Sequence, residues 1–271
     1  MSSVEHAVIA AAGFGSRLGR GMPKCLVEFR GRTLLDRQLE LLADVPDVRV
    51  VVGFRERDVI AHARALRPDV TIVRNPAYAS TTTLTSYALG ARYLRWPALV
   101  MDADIVFEPA SFAAFLDAAA QAMAHHPSPA VCPPLIGYTD AKTEDAVYVT
   151  VTRNENETQN QNNNESNNEI TGFDRQSATP YEWANIALLP PGYCETGTGA
   201  VYERLSGDLP LPAAYVDSYE IDRPGDLDVA QARFSGTTLG TPASPSGLPP
   251  LVPGQRRRQP VTAATGRPFS R

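Results

Sequence analysis

Residues 8–26 read Val8-Ile-Ala-Ala-Ala-Gly-Phe-Gly-Ser-Arg-Leu-Gly-Arg-Gly-Met-Pro-Lys-Cys-Leu26, and the rest of the chain is arranged around this stretch. The apolar run Val8 to Ala12 has the pattern of a buried strand. It empties into a loop with Gly13, Gly15, Gly19 and Gly21, closed by Pro23-Lys24 and a second apolar run. Glycines let backbone N–H groups approach an anion closely, so such a loop is a natural phosphate cradle. Arg17 and Lys24 add two cations to it. The expected guest is a triphosphate.

Two common glycine-loop patterns do not fit. A dinucleotide fingerprint requires glycine at the first, third and sixth positions, but here the series is Gly13, Gly15, Leu18. A P-loop requires Gly-Lys followed by Ser or Thr, whereas Lys24 follows Pro23 and precedes Cys25. Lysine is rare in this chain: only Lys24 and Lys142 occur among 25 basic residues. A compact ammonium in the glycine loop therefore reads as a chosen point charge.

The 271 residues suffice for one large domain or two small ones, and a net charge of −5 argues against general nucleic-acid binding. No apolar run has the length of a membrane span, and no signal peptide precedes the first strand, so a cytoplasmic location is expected. Cys25, Cys132 and Cys194 are few, odd in number and widely spaced, as reduced thiols are. The four histidines lack metal-ligand spacing.

Along the chain, strands are predicted at Val48–Phe54, Val70–Val73 and Pro97–Met101, and helices at Thr33–Asp44, Glu56–Leu66 and Thr82–Leu94. A further helix, Ser111–His126, is expected with Ser111 as N-cap. This alternation argues for a Rossmann-like α/β fold, a mostly parallel sheet with helices on both faces. In such sheets ligands bind at the carboxyl ends of the strands, so Gly13–Lys24 and Asp102-Ala-Asp104 fall on one rim. From Pro129 the pattern turns β-rich. Strands are expected at Ala130–Leu135, Val147–Thr152, Ile170–Arg175, Trp183–Leu189 and Tyr215–Ile221, with a helix at Glu195–Leu205, laid as a mixed acceptor-binding lid over the sheet edge. Residues 154–169 are a low-complexity Asn-rich insertion that offers no packed core. Residues 1–235 thus form the expected domain, and 236–271, rich in Pro, Gly, Ser and Thr with Arg256-Arg257-Arg258, a disordered tail.

Two acidic pairs, Asp102-Ala-Asp104 and Glu220-Ile-Asp222, end predicted strands. On an extended chain the i, i+2 spacing puts both carboxylates of a pair on one face. A triphosphate is handled as its magnesium complex, and Mg²⁺ takes one or two carboxylates together with phosphate oxygens. The alternative role for Asp222 is a helix N-cap ahead of Pro224 and Leu227.

Gly-x-Gly-x-Arg followed by a short spacer and Pro-Lys resembles the N-terminus of the nucleotidyltransferases, which join a nucleoside triphosphate to a phosphorylated small molecule and release pyrophosphate. From about residue 6 to 232 the chain is similar to their choline-phosphate cytidylyltransferase branch. Matching segments are Ala-Ala-Gly-Phe-Gly-Ser-Arg17, Pro23-Lys24, Val51-Val-Gly-Phe54, Asn75-Pro-Ala-Tyr78, Ser86, Met101-Asp-Ala-Asp104 and Tyr219-Glu-Ile-Asp222. The resemblance implies the nucleotide-diphospho-sugar transferase type of fold. Ala11, Ala12, Gly13, Gly15, Ser16 and Arg17 then lie on the nucleotide, Asn75, Tyr78 and Ser86 near the nucleoside, and Lys24 with Arg17 in the catalytic role. Asp104 with Asp222 or Glu220, and less so Asp102, holds Mg²⁺. The pattern departs at Thr82-Thr83, where that branch commonly has asparagines.

An amine-bearing acceptor such as phosphocholine or 2-aminoethylphosphonate calls for aromatic neighbours; Tyr181, Trp183, Tyr138 and Tyr148 offer them, with Glu182 as counter-charge. CTP is the expected donor, and a homodimer is allowed for. The competing readings are a sugar-1-phosphate nucleotidyltransferase, a nucleotide-sugar glycosyltransferase, which shares an Asp-x-Asp, and a non-catalytic nucleotide-binding regulatory protein.

Overall fold

Alternation along the first strand decides the layering of the molecule. In the computed structural model, which describes residues 4–15, 21–126, 128, 131–153, 168–195 and 199–237, β1 (His6–Ala11) sends Ala7, Ile9 and Ala11 to one face and Val8 to the other. Successive side chains of a strand point to opposite faces, so a strand apolar at every position must be covered on both.

The covers are amphipathic helices. On the Ile9 face lie α1 (Leu34–Leu41), α2 (Glu56–Leu66) and α4 (Pro109–Ala124), through Leu35, Val59 and Phe115. On the Val8 face lie α3 (Thr83–Ala91) and α5 (Val201–Ser206), through Leu84, Tyr87 and Leu205. A smaller cluster under α6 (Asp226–Arg233) joins Val27 and Phe29 to Tyr219 and Phe234.

β1 pairs in parallel with β4 (Asp47–Val52) and β6 (Ala98–Asp102), and β4 with β5 (Thr71–Arg74). Two short strands, β2 (Glu28–Phe29) and β3 (Arg32–Thr33), form a separate hairpin. The β-rich half adds β8 (Leu135–Thr139), β9 (Tyr148–Arg153), β10 (Asn168–Asp174), β11 (Tyr181–Leu189) and β12 (Leu211–Tyr215) to the same sheet, in the order β5-β4-β1-β6-β11-β8-β12-β10-β9. β11 is antiparallel to β6. The second half therefore extends the parallel half edge to edge instead of lying over it as a lid.

Several boundaries differ from expectation. The helix at Ser111 begins at Pro109 with Glu108 as its cap, the Glu108 carboxylate accepting from Ser111 N at 2.6 Å; proline suits the first helical position, where its missing N–H costs nothing. The strand expected at Ala130–Leu135 starts at Leu135, beyond Pro133-Pro134, which lack ladder donors. The last strand, expected as one piece from Tyr215 to Ile221, is two. β12 pairs with β8, and β13 (Ser218–Glu220) pairs with β7 (Ile105–Phe107) in another sheet. The helix expected at Glu195–Leu205 is the shorter α5. Asn168 and Glu169, assigned to the low-complexity insertion, are already in β10, opposite Arg153 and Thr152 of β9. The rest of that insertion and residues 238–271 of the expected tail, with the Arg256–Arg258 run, lie outside the described residues.

Candidate active site

A cavity of about 370 Å³ opens at the carboxyl ends of β1 and β6, lined by Ala12, Gly13, Gly15, Lys24, Asn75, Tyr78, Ser86, Asp102, Asp104, Glu220 and Asp222 among others. Both acidic pairs and the glycine loop thus reach one site. β1 and β6 are neighbours in register, Ala10 opposite Asp102. Glu220 arrives through β13, whose pairing with β7 brings Glu220 opposite Ile105.

Lys24 stands at the head of a 3₁₀ turn, Lys24–Leu26, anchored by the buried Cys25 and Leu26. Gly15 has φ +59°, and a Cβ there would lie 2.8 Å from Lys24 Cγ and 3.3 Å from Met22 O. Glycine at this position therefore serves both the left-handed backbone and the seating of the lysine. The Lys24 Nζ donates to Asp104 Oδ2 at 3.0 Å and to Asp222 Oδ1. Burial pulls the ammonium down, but Asp104 and Asp222 more than offset it, and Lys24 is held above the ordinary lysine value. Asp222 is engaged by Lys24 and does not cap α6; the carboxylate that accepts from Asp222 N and Arg223 N is that of Asp226, at 2.8 and 2.7 Å.

The acidic groups crowd each other. Asp104, Glu220 and Asp222 offer oxygens that all lie within 4.8 Å of one another. Burial and the charge of Asp104 push Asp102 up to about 7, against the Tyr87 hydroxyl and Lys24. Burial, then Asp104, raises Glu220 as well. A hard divalent cation suits such a set of oxygen donors.

Several residues that the sequence reading missed hold this arrangement. The fully buried Tyr87 donates to Asp102 Oδ1 at 2.7 Å. Gln38, fully buried on α1, donates to Asp102 O at 2.8 Å and Ile105 O at 3.0 Å, fixing the turn that carries Asp104. Asn185 Nδ2 donates to Glu220 Oε2 at 3.3 Å. Phe14, Thr81, Thr82 and Thr83 also line the cavity. For Asn185 the available signal was a lone polar residue in an apolar run, between Ala184 and Ile186; Gln38, beside Asp36-Arg37, carried none.

The nucleoside-side residues form a second group. Asn75 is buried, and its Nδ2 donates to Thr81 Oγ1 at 3.0 Å and Ser86 Oγ at 3.3 Å, while its Oδ1 accepts from Ala77 N at 3.1 Å. Tyr78 closes on the loop because Gly53 lacks a Cβ, which would lie 2.7 Å from the tyrosine ring. The Phe14 ring, 56% exposed, packs 4.4 Å from that of Phe54, extending an aromatic wall toward Tyr78.

Other expected site residues fall elsewhere. Ala11 points into the core on the Ile9 face, as alternation requires between Ala10 and Ala12, which do line the cavity. Trp183 packs in the core on the Val8 face. Tyr181 meets Tyr138 edge to face at 5.2 Å. Glu182 is buried and accepts from Thr143 N at 3.2 Å and Thr143 Oγ1 at 3.0 Å. None of the three lines the cavity, so the expected acceptor cage is not brought to it. Ser16 and Arg17 lie outside the described residues.

Residues 7–155 match the profile described as the MobA-like NTP transferase domain. A CMP-5'-(3-aminopropyl)phosphonate synthase of Streptomyces rubellomurinus is 30% identical over 259 residues, a match covering 85% of this chain and 39% of that relative. The chain thus spans well under half of that relative's length. Among solved structures, a CTP:phosphocholine cytidylyltransferase from Streptococcus pneumoniae superposes with a TM-score of 0.59 at 17% identity, covering 85% of this chain and 98% of the other. A UDP-glucose pyrophosphorylase from Acinetobacter baumanii does so with a TM-score of 0.62 at 12% identity, covering 85% and 93%. At these identities the structures report a shared fold.

Proposed function

The chain belongs to the MobA-like NTP transferase domain family, and on that footing we propose that it transfers CMP from CTP to a small phosphorylated or phosphonate acceptor, such as phosphocholine or 2-aminoethylphosphonate, and releases pyrophosphate. The observation that carries the reading is the convergence of Lys24 with Asp104, Glu220 and Asp222 beside the glycine loop in one cavity. The choice of a cytidine donor and a phosphonate-type acceptor is supported by the name of the Streptomyces relative.

The chemistry needs no protein nucleophile. An anionic oxygen of the acceptor forms a bond to the α-phosphorus of CTP, and the bond from that phosphorus to the α–β bridging oxygen breaks. Pyrophosphate leaves with the electron pair. Catalysis then rests on positioning and charge. Backbone N–H groups of Gly13 and Gly15 cradle phosphate oxygens, and Lys24 neutralises charge at the α-phosphate. Arg17 is assigned to the β/γ end. Asn75, Tyr78 and Ser86 form the nucleoside side, with Asn75 locked by its own hydrogen bonds.

Asp104, Asp222 and Glu220 would hold Mg²⁺, with Asp102 tied back by Tyr87. When bound, the ion supplies charge neutralisation on the triphosphate and the leaving pyrophosphate. Three hard oxygen donors within 4.8 Å fit it. The aromatic wall of Phe14, Phe54 and Tyr78 gives the cavity mouth an apolar flank for a planar base.

The test is pyrophosphate release with Mg²⁺, crossing CTP, UTP, dTTP, GTP and ATP against phosphocholine, 2-aminoethylphosphonate and glucose 1-phosphate. Release with CTP and an amino-alkyl acceptor, abolished by EDTA and restored by Mg²⁺, is the expected result. Release confined to glucose 1-phosphate would contradict the acceptor class, and release that persists in EDTA would contradict the metal.

A further inference from the structure

β11 breaks its own ladder beside the acidic cluster. Between the pairs Trp183–Tyr138 and Ala187–Ile136, three residues of β11, Ala184, Asn185 and Ile186, stand opposite the single residue Gly137 of β8. Asn185 takes φ +52° there, a conformation that asparagine bears better than other non-glycine residues. Gly137 gives the room, since a Cβ on it would lie 2.3 Å from Ile186 Cγ2.

On its other side β11 stays regular, with Ile186 opposite Met101 of β6. Asn185 therefore sits one residue past that pair, level with the turn that bears Asp102 and Asp104. From this place its Nδ2 lies 3.3 Å from Glu220 Oε2. Bulges next to active sites re-aim side chains, and strained backbone persists where the surroundings enforce it. The chemistry of the side chain suits the task. An amide N–H orients one oxygen of a carboxylate without bringing the positive charge that a lysine or arginine would set against a cation.

We infer that Asn185 is a positioning residue for the metal centre: its amide, aimed by the β11 bulge, holds the Glu220 carboxylate turned toward Asp104 and Asp222. The inference rests on the metal reading given above. Glycine is the informative replacement, because it accepts the left-handed backbone more readily than asparagine and removes only the amide.

Mn²⁺ is the probe, alone and with the α,β-methylene analogue of CTP, its free aquo-ion followed by electron paramagnetic resonance. N185G is expected to keep or raise the thermal midpoint and to weaken Mn²⁺ binding on the order of 10–100-fold, the usual effect of losing a partner of a metal ligand. In an E220Q background the same change is expected to have little further effect, because Asn185 acts through Glu220. Mn²⁺ binding by N185G equal to that of the unaltered chain, or an equal loss with and without Glu220, would overturn the inference alone. Failure of the unaltered chain to bind Mn²⁺ in either condition would overturn the metal reading and the inference with it.

Discussion

Lys24 reaches two carboxylates from distant parts of the chain, Asp104 after β6 and Asp222 after β13. The ammonium is compact, its stem is seated against Gly15, and the residue lines the cavity together with Gly13 and Gly15. Those three features suit a preorganised charge aimed at a phosphate. Replacement by alanine is expected to lower kcat on the order of 10²–10³, the scale of losing one such donor, with the fold kept by circular dichroism; steady-state pyrophosphate release measures it. The lysine was readable in the sequence because lysine is so scarce. Tyr87 was not, since nothing in an apolar helical stripe tells a core tyrosine from one that holds an aspartate.

Elements carry the site by tight seating. α3 lies on β1 and β4 through Gly90, where a Cβ would meet Val8 Cγ1 at 2.3 Å and Val51 Cγ2 at 2.9 Å. Both are stiff, buried strand side chains. Gly90→Ala is expected to lower the thermal midpoint, because overpacking of about 1–3 kcal/mol exceeds a helix-propensity gain of up to about 1 kcal/mol. A raised midpoint by calorimetry would refute the close seating. α1 is started by a capping box: Thr33 Oγ1 accepts from Asp36 N, Asp36 Oδ2 accepts from Thr33 N, and Asp36 Oδ1 also pairs with the His62 ring. Burial pushes the Asp36 carboxyl up, but the hydrogen bond and charge of His62 and the Thr33 donors outweigh it and hold it below the ordinary value. A carboxyl lowered in the folded state adds stability that is complete above its unfolded pKa, about 3.9, and is lost as pH falls through the folded value. Asp36→Asn is therefore expected to lower the midpoint by about 2–4 °C near pH 7, for a cap of about 1 kcal/mol. The gap should close as pH falls below the ordinary aspartate range; one that is constant with pH would contradict the pairing. α2 was legible to the residue, Glu56–Leu66, because its pattern is uninterrupted. The break between β12 and β13 was not, because an unbroken strand-like pattern does not say that the chain changes sheets at Val216-Asp217.

At the scale of the whole molecule, one sheet unites a parallel half that bears Gly13 and Gly15 and a mixed half that contains β11 and β12, and the chain passes from β12 into β13 of another sheet to supply Glu220 and Asp222. Strand–helix alternation made the first half readable, and the carboxyl-end rule places the cavity from the sequence pattern. The strands expected as a lid join the same sheet, and Tyr181, Glu182 and Trp183 do not line the cavity, because the period of a strand does not tell which neighbour it pairs with. Trp183 shows this: its place in β11 makes it core. No helix among the described residues is long and apolar enough to cross a membrane. The proposed reaction of this cavity joins CMP to an acidic small molecule. Its most direct measurement is ³¹P nuclear magnetic resonance of the chain with Mg²⁺, CTP and 2-aminoethylphosphonate. The expected spectrum loses the CTP and phosphonate resonances together and gains pyrophosphate and a coupled phosphonate–phosphate pair, on the order of 10²–10³ more slowly with the Lys24→Ala protein. Formation of CDP and inorganic phosphate, or an unchanged spectrum across phosphonate, phosphocholine and glucose 1-phosphate acceptors, would contradict it.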